Sequence, residues 1–264
     1  MPATAPKVSR SQASPRANPL YERLLKPHDL RGSEAAIPVA YEFDESWDEA
    51  QCVAWLVTSP SKQLKSWRAA LRRRLRADVS WKDDEHYSQL AGNGIDFLAR
   101  RELGSAVREH LPGPGDTADV QVIYSQTLVG VVLLDERERA VGYATFAIHW
   151  AVDHAPDGAS ELEVVLDEVW IVPSRRREGL GTLMANAVVD GVWRHLVELE
   201  LAWPKTGASW AEFDLLYTGD VYSTSGADFM KACWRLHREW MTMTEAMGRF
   251  GHLVERSVEY DPRW

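Results

Sequence analysis

The chain has 264 residues, enough for one large or two small domains, because single cores stop growing only beyond about 250 to 300 residues. Hydrophobic residues make up 45% and charged residues 26% of the chain, as in ordinary globular domains, which excludes wholesale disorder and a fibrous repeat. The 30 Lys and Arg against 39 Asp and Glu give a net charge of −9, which argues against a general nucleic-acid binder, since nonspecific affinity for phosphates needs excess cations.

The first 30 residues are rich in Ala, Pro and Ser, and we expect them to form a mobile tail. Residues 31–264 are predicted to form a single domain with an extended helical section at 60–115. The run Ile37–Phe43 alternates apolar with polar or small residues, which predicts the first strand. Ser46, followed three residues later by Glu49, forms a capping-box pattern and predicts a helix that continues through Val57.

A strongly basic helix is predicted after Pro60. Its cations lie on more than one face, around a narrow apolar stripe that includes Trp67 and Leu71. Such a helix is typical of a solvated surface, and docking of a polyanionic partner is the alternative. Residues 83–111 are also predicted to be helical, and the Pro-Gly run at 112–115 ends this section. The cations are Lys62, Lys65, Arg68, Arg72, Arg73, Arg74 and Arg76.

Beyond residue 115 the sequence becomes rich in strand-forming residues. A charged turn at 135–139 separates two apolar runs and predicts an antiparallel hairpin. From Leu180 onward, apolar residues recur at helical spacing and predict an amphipathic helix. The fold class is therefore α/β (α+β). The predicted strands are Val120–Tyr124, Leu128–Leu134, Val141–Trp150, Leu162–Val172, Phe213–Tyr217 and Leu253–Tyr260, and the last helix is Ala227–Met247.

Cysteine usage and hydropathy predict a cytoplasmic protein. The two cysteines, Cys52 and Cys233, are too few for a disulfide framework or a cysteine-rich zinc site, and no metal site is predicted. The longest clean apolar run, Leu128–Leu134, is far shorter than the roughly 20 residues that span a bilayer. The first residues also lack the apolar core of a signal peptide.

The most informative segment is the turn between the strand that ends near residue 172 and the amphipathic helix. Backbone N–H groups at a helix start point outward with the positive end of the helix dipole. Gly179 and Gly181 let an anion approach this helix start without interference from a Cβ atom. Arg175, Arg176 and Arg177 add cationic side chains. The turn therefore predicts a site for a phosphate or pyrophosphate.

The glycine pair has other possible roles. Glycines at a helix start can serve only for tight packing, and an arginine run is usually solvated; this interpretation stays open. A Rossmann fingerprint needs a third glycine where the chain has Met184, and parallel strands where it has a hairpin. A P-loop needs a Gly-Lys-Ser/Thr end, which the chain lacks.

The run Ile171–Pro173, followed by Arg176-x-x-Gly179-x-Gly181 and an amphipathic helix, resembles the acyl-CoA binding motif of the GNAT superfamily of N-acyltransferases. That motif is Arg/Gln-x-x-Gly-x-Gly/Ala after a strand that ends in an apolar-x-Pro step. The order of elements over about residues 36–260 is also similar to that family. The resemblance implies a mixed, centrally splayed sheet flanked by helices, with an enlarged helical section near the amino terminus.

The resemblance also implies acetyl-CoA as the co-substrate. Its pantetheine arm would lie beside the strand that ends near Ile171, and backbone amides of the turn would hold its pyrophosphate. The Arg176 and Arg177 side chains and the Thr182 hydroxyl would support the pyrophosphate. The cofactor-binding residues implied in this way are Val169, Trp170, Ile171, Val172, Arg176, Arg177, Glu178, Gly179, Leu180, Gly181 and Thr182.

Asp167 and Glu168 are the candidates for the group that takes a proton from the attacking amine. The family's frequent carboxylate falls at Asp167. Because strand side chains alternate, the two acids are expected to face opposite sides, so that only one faces the acceptor. Glu168 shares a face with Leu166 and Trp170 in a regular strand and is slightly favoured, whereas Asp167 could equally pair with the arginine turn.

The group that protonates the departing thiolate is harder to assign. The family's Asn…Tyr-x-x-x-Gly-Phe arrangement is absent from the helix around residues 225–241. Tyr217 and Tyr222 are the nearest phenols, and each is as well explained by a structural role. Some family members act without such an acid.

Two functional hypotheses follow. The first is an N-acetyltransferase that transfers an acetyl group to a small-molecule or protein amine within a ternary complex, as a monomer or a homodimer, with no membrane partner. The second is a noncatalytic acyl-CoA-binding or regulatory module whose basic helix docks an anionic partner such as tRNA. The missing tyrosine motif favours the second, and the carboxylates with the arginine-glycine motif favour the first.

Overall fold

Eight strands form one mixed sheet, and three long helices pack against its two faces. The structure is a computed structural model that describes residues 36–39, 52–57, 62–78, 95–96, 98, 106–112, 121–153, 160–202, 211–221, 223–245 and 253–263, and these counts refer to them. The strands are β1 (Ala36–Val39), β2 (Cys52–Val57), β3 (Ala106–Pro112), β4 (Gln121–Asp135), β5 (Ala140–Asp153), β6 (Ser160–Ile171), β7 (Ala211–Asp220) and β8 (Leu253–Arg263). The helices are α1 (Lys62–Ala77), α2 (Leu180–Ala202) and α3 (Thr224–Glu245).

The sheet is antiparallel in its first part and parallel at its end. The strand order is β1-β2-β4-β5-β6-β7-β8, and β3 also pairs with β4. The β6–β7 and β7–β8 pairs are parallel, and the others are antiparallel. Because parallel neighbours need a crossover, α2 connects β6 to β7 and α3 connects β7 to β8. This architecture confirms the α/β class.

Two apolar cores lie on opposite faces of the central strands. Along β4, Val129 and Val131 belong to the core formed with α2 and α3, which we call the α2/α3 core. Their neighbours Leu128 and Val132 belong to the core formed with α1, the α1 core. Side chains of a strand alternate between faces, so β4 is buried on both. That burial explains why its sequence is an almost continuous apolar run.

The predicted β4–β5 hairpin is confirmed. The buried carboxylate of Asp135 accepts hydrogen bonds from the backbone N–H groups of Arg137 and Arg139, at 3.0 and 2.9 Å. It also accepts one from the Arg139 side chain at 2.8 Å. One aspartate therefore satisfies several donors of the turn, as aspartates at turns often do.

The predicted basic helix is confirmed as α1. It buries the stripe Leu64, Trp67, Leu71 and Leu75 in the α1 core. Two of its arginines are engaged, since Arg72 pairs with Asp96 and Arg74 donates to the carbonyl of Ala140. Among the described residues, no helix is both long and apolar enough to cross a membrane.

The helix predicted through Val57 is wrong, because residues 52–57 form strand β2. This strand lies between β1 and β4, and Ala54 and Leu56 face the α2/α3 core while Val57 faces the α1 core. Pairing on both edges of the segment outweighs a local capping pattern, whose residues Ser46 and Glu49 lie outside the described part of the chain.

The helical section predicted at 60–115 is also partly wrong. Residues 106–112 form β3, which pairs with β4 from Ala106↔Thr127 to Pro112↔Gln121. Pro112 lies at the end of an edge strand, where a missing N–H is tolerated. Of the predicted first strand Ile37–Phe43, residues 37–39 are confirmed as part of β1, and residues 40–43 lie outside the described residues. The tail at 1–30 and residues 83–94 lie outside the described residues.

Pairing between β6 and β7 ends before the strands do. The register runs from Ser160↔Phe213 to Val165↔Thr218 and stops there, although β6 continues to Ile171. Beyond Val165, β6 remains paired with β5 on its other edge. The backbone carbonyl of Leu166 still lies against Gly219 of β7. The backbone of residues 167–171 has no neighbouring strand on the β7 side among the described elements. This open edge leads directly into the turn before α2.

Two tyrosines are fully buried, one in each core. Tyr143 belongs to the α1 core, and Tyr217, in the α2/α3 core, has its hydroxyl 3.1 Å from His237 Nδ1. Burial raises the pKa of both phenols well above the ordinary value of about 10, and the negative charge of Glu168 raises that of Tyr143 further. Both phenols therefore stay protonated in the folded protein when exposed phenols ionise.

We expect the free energy of unfolding to fall as pH rises above about 10, because only the unfolded chain then releases these protons. Below pH 10 the two phenols contribute no pH dependence. Denaturant unfolding from pH 9 to 11 measures this slope. Tyr217→Phe should flatten it, and Tyr260→Phe, at a partly exposed tyrosine, is the control. Reversible ionisation of all 8 tyrosines near pH 10 without loss of stability would contradict this account.

Candidate functional site

The turn between β6 and α2 is held at its start and bends at defined positions. The backbone N–H of Val172 donates to the carbonyl of Val141 at 2.9 Å, which fixes the end of β6 against β5. A single 3-10 turn follows at Pro173–Arg175. Arg177 and Gly179 then adopt φ of 70° and 77°, in the left-handed region that favours glycine. These bends lead the chain from the open edge of β6 to the start of α2.

The first backbone N–H groups of α2 point away from the helix. Those of Thr182 and Leu183 donate to the carbonyl of Gly179, at 3.0 and 3.2 Å. Those of Leu180 and Gly181 have no acceptor within the described part of the chain. No acidic residue occupies the first turn of the helix. The positive end of the dipole is therefore left for an anion from outside the chain.

The two glycines are not required by packing. A Cβ atom added at Gly179 or Gly181 would meet no other atom within 4 Å. At Gly179 the positive φ accounts for the residue. At Gly181 neither a positive φ nor a close neighbour requires glycine. Glycine in a helix nevertheless costs up to about 1 kcal/mol relative to alanine. Close approach by a ligand is a reason for glycine there, and the tight-packing interpretation is not supported.

The three arginines of the turn have different partners. Arg175 pairs with Glu178, and its Nη2 lies 3.6 Å from the sulfur of Cys52. Arg176 donates from Nε to the carbonyl of Ile171 at 2.9 Å and from Nη2 to Asp78 at 2.8 Å. Arg177 is exposed. The side chains of Arg175 and Arg176 thus hold the turn itself, while Arg176 remains 41% exposed beside the helix start.

Asp167 and Glu168 lie on the same face of β6, contrary to the sequence expectation. Thr145 pairs with Glu168 and the next residue of β5 pairs with Leu166, so Asp167 is an extra residue in a β-bulge. The Thr145 hydroxyl donates to Asp167 at 3.0 Å, and the Tyr143 hydroxyl donates to Glu168 at 2.5 Å. Because residues 143 and 145 are two apart on β5, both acids reach the α1 side.

Because of the bulge, Glu168 shares its face of β6 with other apolar residues than the sequence predicted. Leu166 packs against the α2/α3 core, whereas Trp170 belongs to the α1 core. Glu168 therefore shares a face with Trp170 and not with Leu166. An extra residue reverses the alternation of a strand, and no residue type in this run marks where it occurs.

Residues 169–172 form the end of β6 and the start of the turn, and they lie along the open edge. Val169, Ile171 and Val172 are half-buried and pack against the α2/α3 core. Trp170 is buried on the other face, 6.0 Å between ring centroids from Tyr143. Glu178, Gly179 and Thr182 are exposed in the turn, Gly181 is half-buried, and Leu180 is buried beneath it. The structure therefore brings all eleven predicted cofactor-binding residues to one continuous edge and turn.

The predicted thiolate acid is not placed with these groups. Tyr217 lies on the α2/α3 side of β7, with its hydroxyl directed to His237, whose Nε2 is 3.3 Å from Glu255. The carboxylates lie on the opposite face. Tyr222 lies outside the described residues.

One face of β6 is rich in acids. Glu161 and Glu163 alternate with residues that are buried in the α2/α3 core, so both face the α1 side. Glu163 accepts a hydrogen bond from the Thr218 hydroxyl at 2.7 Å, at the point where β6 and β7 separate. Asp167 and Glu168 continue this face beyond the bulge. The negative charges of such a face attract cationic groups.

Three residues of this region escaped the sequence analysis. Tyr143 and Thr145 are recognisable only from the hairpin register that sets them opposite the acids. Asp78 is about 100 residues from the turn in sequence, and nothing local links it to Arg176. In the described residues no group of three or more His, Cys, Asp or Glu could hold a metal ion. Comparison with protein-family models, curated proteins and solved structures finds no match to this chain.

Replacing each glycine by alanine distinguishes a role in ligand binding from a role in stability. Gly181→Ala should raise the free energy of unfolding by up to about 1 kcal/mol, because the helix gains a better helix former in open space. Gly179→Ala should lower it by about 1 to 2 kcal/mol because of its φ of 77°. Both should weaken binding of a pyrophosphate-containing ligand such as CoA. Denaturant titration and calorimetry measure the two effects, and a Gly181→Ala protein that binds CoA as the wild type does would contradict the ligand interpretation.

Proposed function

We propose that this protein is an acyl-CoA N-acyltransferase of the GNAT type, which transfers an acetyl group from acetyl-CoA to an amine. The observation that carries the proposal is the succession of two features: the open edge of β6 at residues 167–171 and the helix start at Leu180–Gly181. An extended pantetheine arm can pair with the first, as peptide-like chains pair with open strand edges. The pyrophosphate then reaches the second, which suits an anion.

The reaction proceeds by direct attack within a ternary complex. The neutral amine nitrogen attacks the thioester carbonyl carbon, the carbon–sulfur bond breaks, and the thiolate of CoA leaves. The proton of the attacking nitrogen passes to a carboxylate. Much of the rate comes from holding the two substrates together, and general base catalysis adds about 10²- to 10⁴-fold.

We assign the proton-accepting role to Asp167. The sequence slightly favours Glu168, but Glu168 is half-buried and bonded to a buried phenol, whereas Asp167 is exposed and receives one hydrogen bond from Thr145. Both acids face the same side, so Glu168 adds negative charge beside the nitrogen, which becomes positively charged as it attacks. The acids of this β6 face support a cationic amine, from a small molecule or a protein, as the acceptor.

A noncatalytic acyl-CoA-binding or regulatory module is the second candidate. It is favoured by the placement of Tyr217, which is fully buried and directed to His237 rather than to the carboxylates. In that case α1 would dock an anionic partner such as tRNA. The number of α1 cations available to such a partner is reduced, since Arg72 and Arg74 already have partners within the chain.

Calorimetry with acetyl-CoA, followed by a thiol-release assay over a panel of primary amines, tests both candidates. We expect binding, release of CoA thiol with at least one amine, and thermal stabilisation of the bound protein. Asp167→Asn should lower kcat about 10²-fold or more and leave acetyl-CoA affinity unchanged, and Glu168→Gln should have a smaller effect. Binding without transfer to any amine would support the module, and the absence of binding would contradict both.

A further inference from the structure

Asp78 is a buried carboxylate directly after the last residue of the basic helix α1. Its side chain is 2% exposed. Oδ2 accepts a hydrogen bond from Trp170 Nε1 at 3.1 Å and another from Arg176 Nη2 at 2.8 Å. The first donor lies on the open edge of β6 and the second in the turn before α2. One carboxylate oxygen thus connects α1 to both parts of the candidate site.

The position of Asp78 is unfavourable for the helix to which it is attached. Its backbone N–H donates to the carbonyls of Arg74 and Leu75, so the residue extends the end of α1. The negative end of the helix dipole repels an acid there. Burial of an unpaired carboxylate is strongly unfavourable, and a close cation and hydrogen-bond donors offset this cost. Arg176 and Trp170 supply these.

Arg176 completes a closed connection around the end of β6. While Nη2 bonds to Asp78, Nε bonds to the carbonyl of Ile171, the last residue of the strand. A planar guanidinium with two fixed bonds cannot rotate freely. The turn that follows Arg176 contains two left-handed residues before the outward N–H groups of α2. Its geometry therefore depends on where Arg176 is held.

We propose that Asp78 is a positioning residue for the acyl-CoA site, acting through Arg176 to hold the turn at residues 172–182 in its anion-binding form. The proposal rests on the proposed function for the identity of the anion. It makes α1 part of the cofactor site through its last turn, while the exposed cations of the helix play no part in it. Asp78 itself touches no substrate.

The first test compares two neutralised acids. Asp78→Asn keeps the shape and an acceptor for Trp170 but removes the charge opposite Arg176. Asp96→Asn is the matched control, since it removes the charge opposite Arg72 at an exposed position. Calorimetry of the full chain with CoA should give about tenfold weaker binding for Asp78→Asn and wild-type binding for Asp96→Asn. Unchanged or tighter binding by Asp78→Asn would overturn the proposal.

Variants at Arg176 separate positioning from charge and from a general loss of stability. Arg176→Lys keeps the positive charge but cannot bond to both Ile171 and Asp78, and it should weaken CoA binding about as much as Asp78→Asn. In an Arg176→Gln background, Asp78→Asn should have no further effect on CoA affinity. Wild-type binding by Arg176→Lys, or an equal additional loss in the Arg176→Gln background, would show that Asp78 does not act through Arg176.

Hydrogen exchange of the ligand-free protein tests whether Asp78 holds the turn, and this test does not depend on the proposed function. Amides of residues 172–182 should exchange faster in Asp78→Asn than in the wild type or in Asp96→Asn. If the wild type binds no CoA, the proposed function fails and these amides still decide whether Asp78 holds the turn. Equal exchange rates in the three proteins would overturn the positioning role.

Discussion

The end of pairing between β6 and β7 is the constraint on which the rest of the site depends. Both strands are parallel neighbours up to Val165↔Thr218, and beyond this point β6 is paired only with β5 among the described elements. An interior strand that loses a neighbour exposes backbone donors and acceptors, which proteins normally pair or cover. Here the open edge leads, through the turn at residues 172–179, to a helix start whose Leu180 and Gly181 N–H groups have no acceptor among the described residues. Our proposal places acyl-CoA along these two segments.

The bulge at Asp167 determines what chemistry this surface can support. Without the extra residue, Asp167 and Glu168 would face opposite cores, and one of them would be buried among apolar side chains. The bulge turns both toward the α1 side, where Thr145 and Tyr143 orient them. A local irregularity of one residue thus places two carboxylates on the same face of β6, beside its open edge.

Elements whose stability comes from local pattern were predictable from sequence. The β4–β5 hairpin, α1, α2 and the turn with its glycines follow from period, turn chemistry and helix-start signals. Segments that depend on distant partners were not: β2 is a strand because β1 and β4 pair with both of its edges. The bulge and Asp78 belong to the same class, because only the assembled sheet brings Thr145 to Asp167 and Arg176 to Asp78.

A crystal structure of the protein with acetyl-CoA would show whether the open edge of β6 and the start of α2 form one site. The proposed function predicts that the pantetheine arm pairs with the backbone of residues 167–171 and that the pyrophosphate accepts hydrogen bonds from the N–H groups of Leu180 and Gly181. The acetyl carbonyl should then lie near Asp167, on the α1 side of the sheet. Acetyl-CoA bound elsewhere, with the edge of β6 and the start of α2 unoccupied, would contradict it.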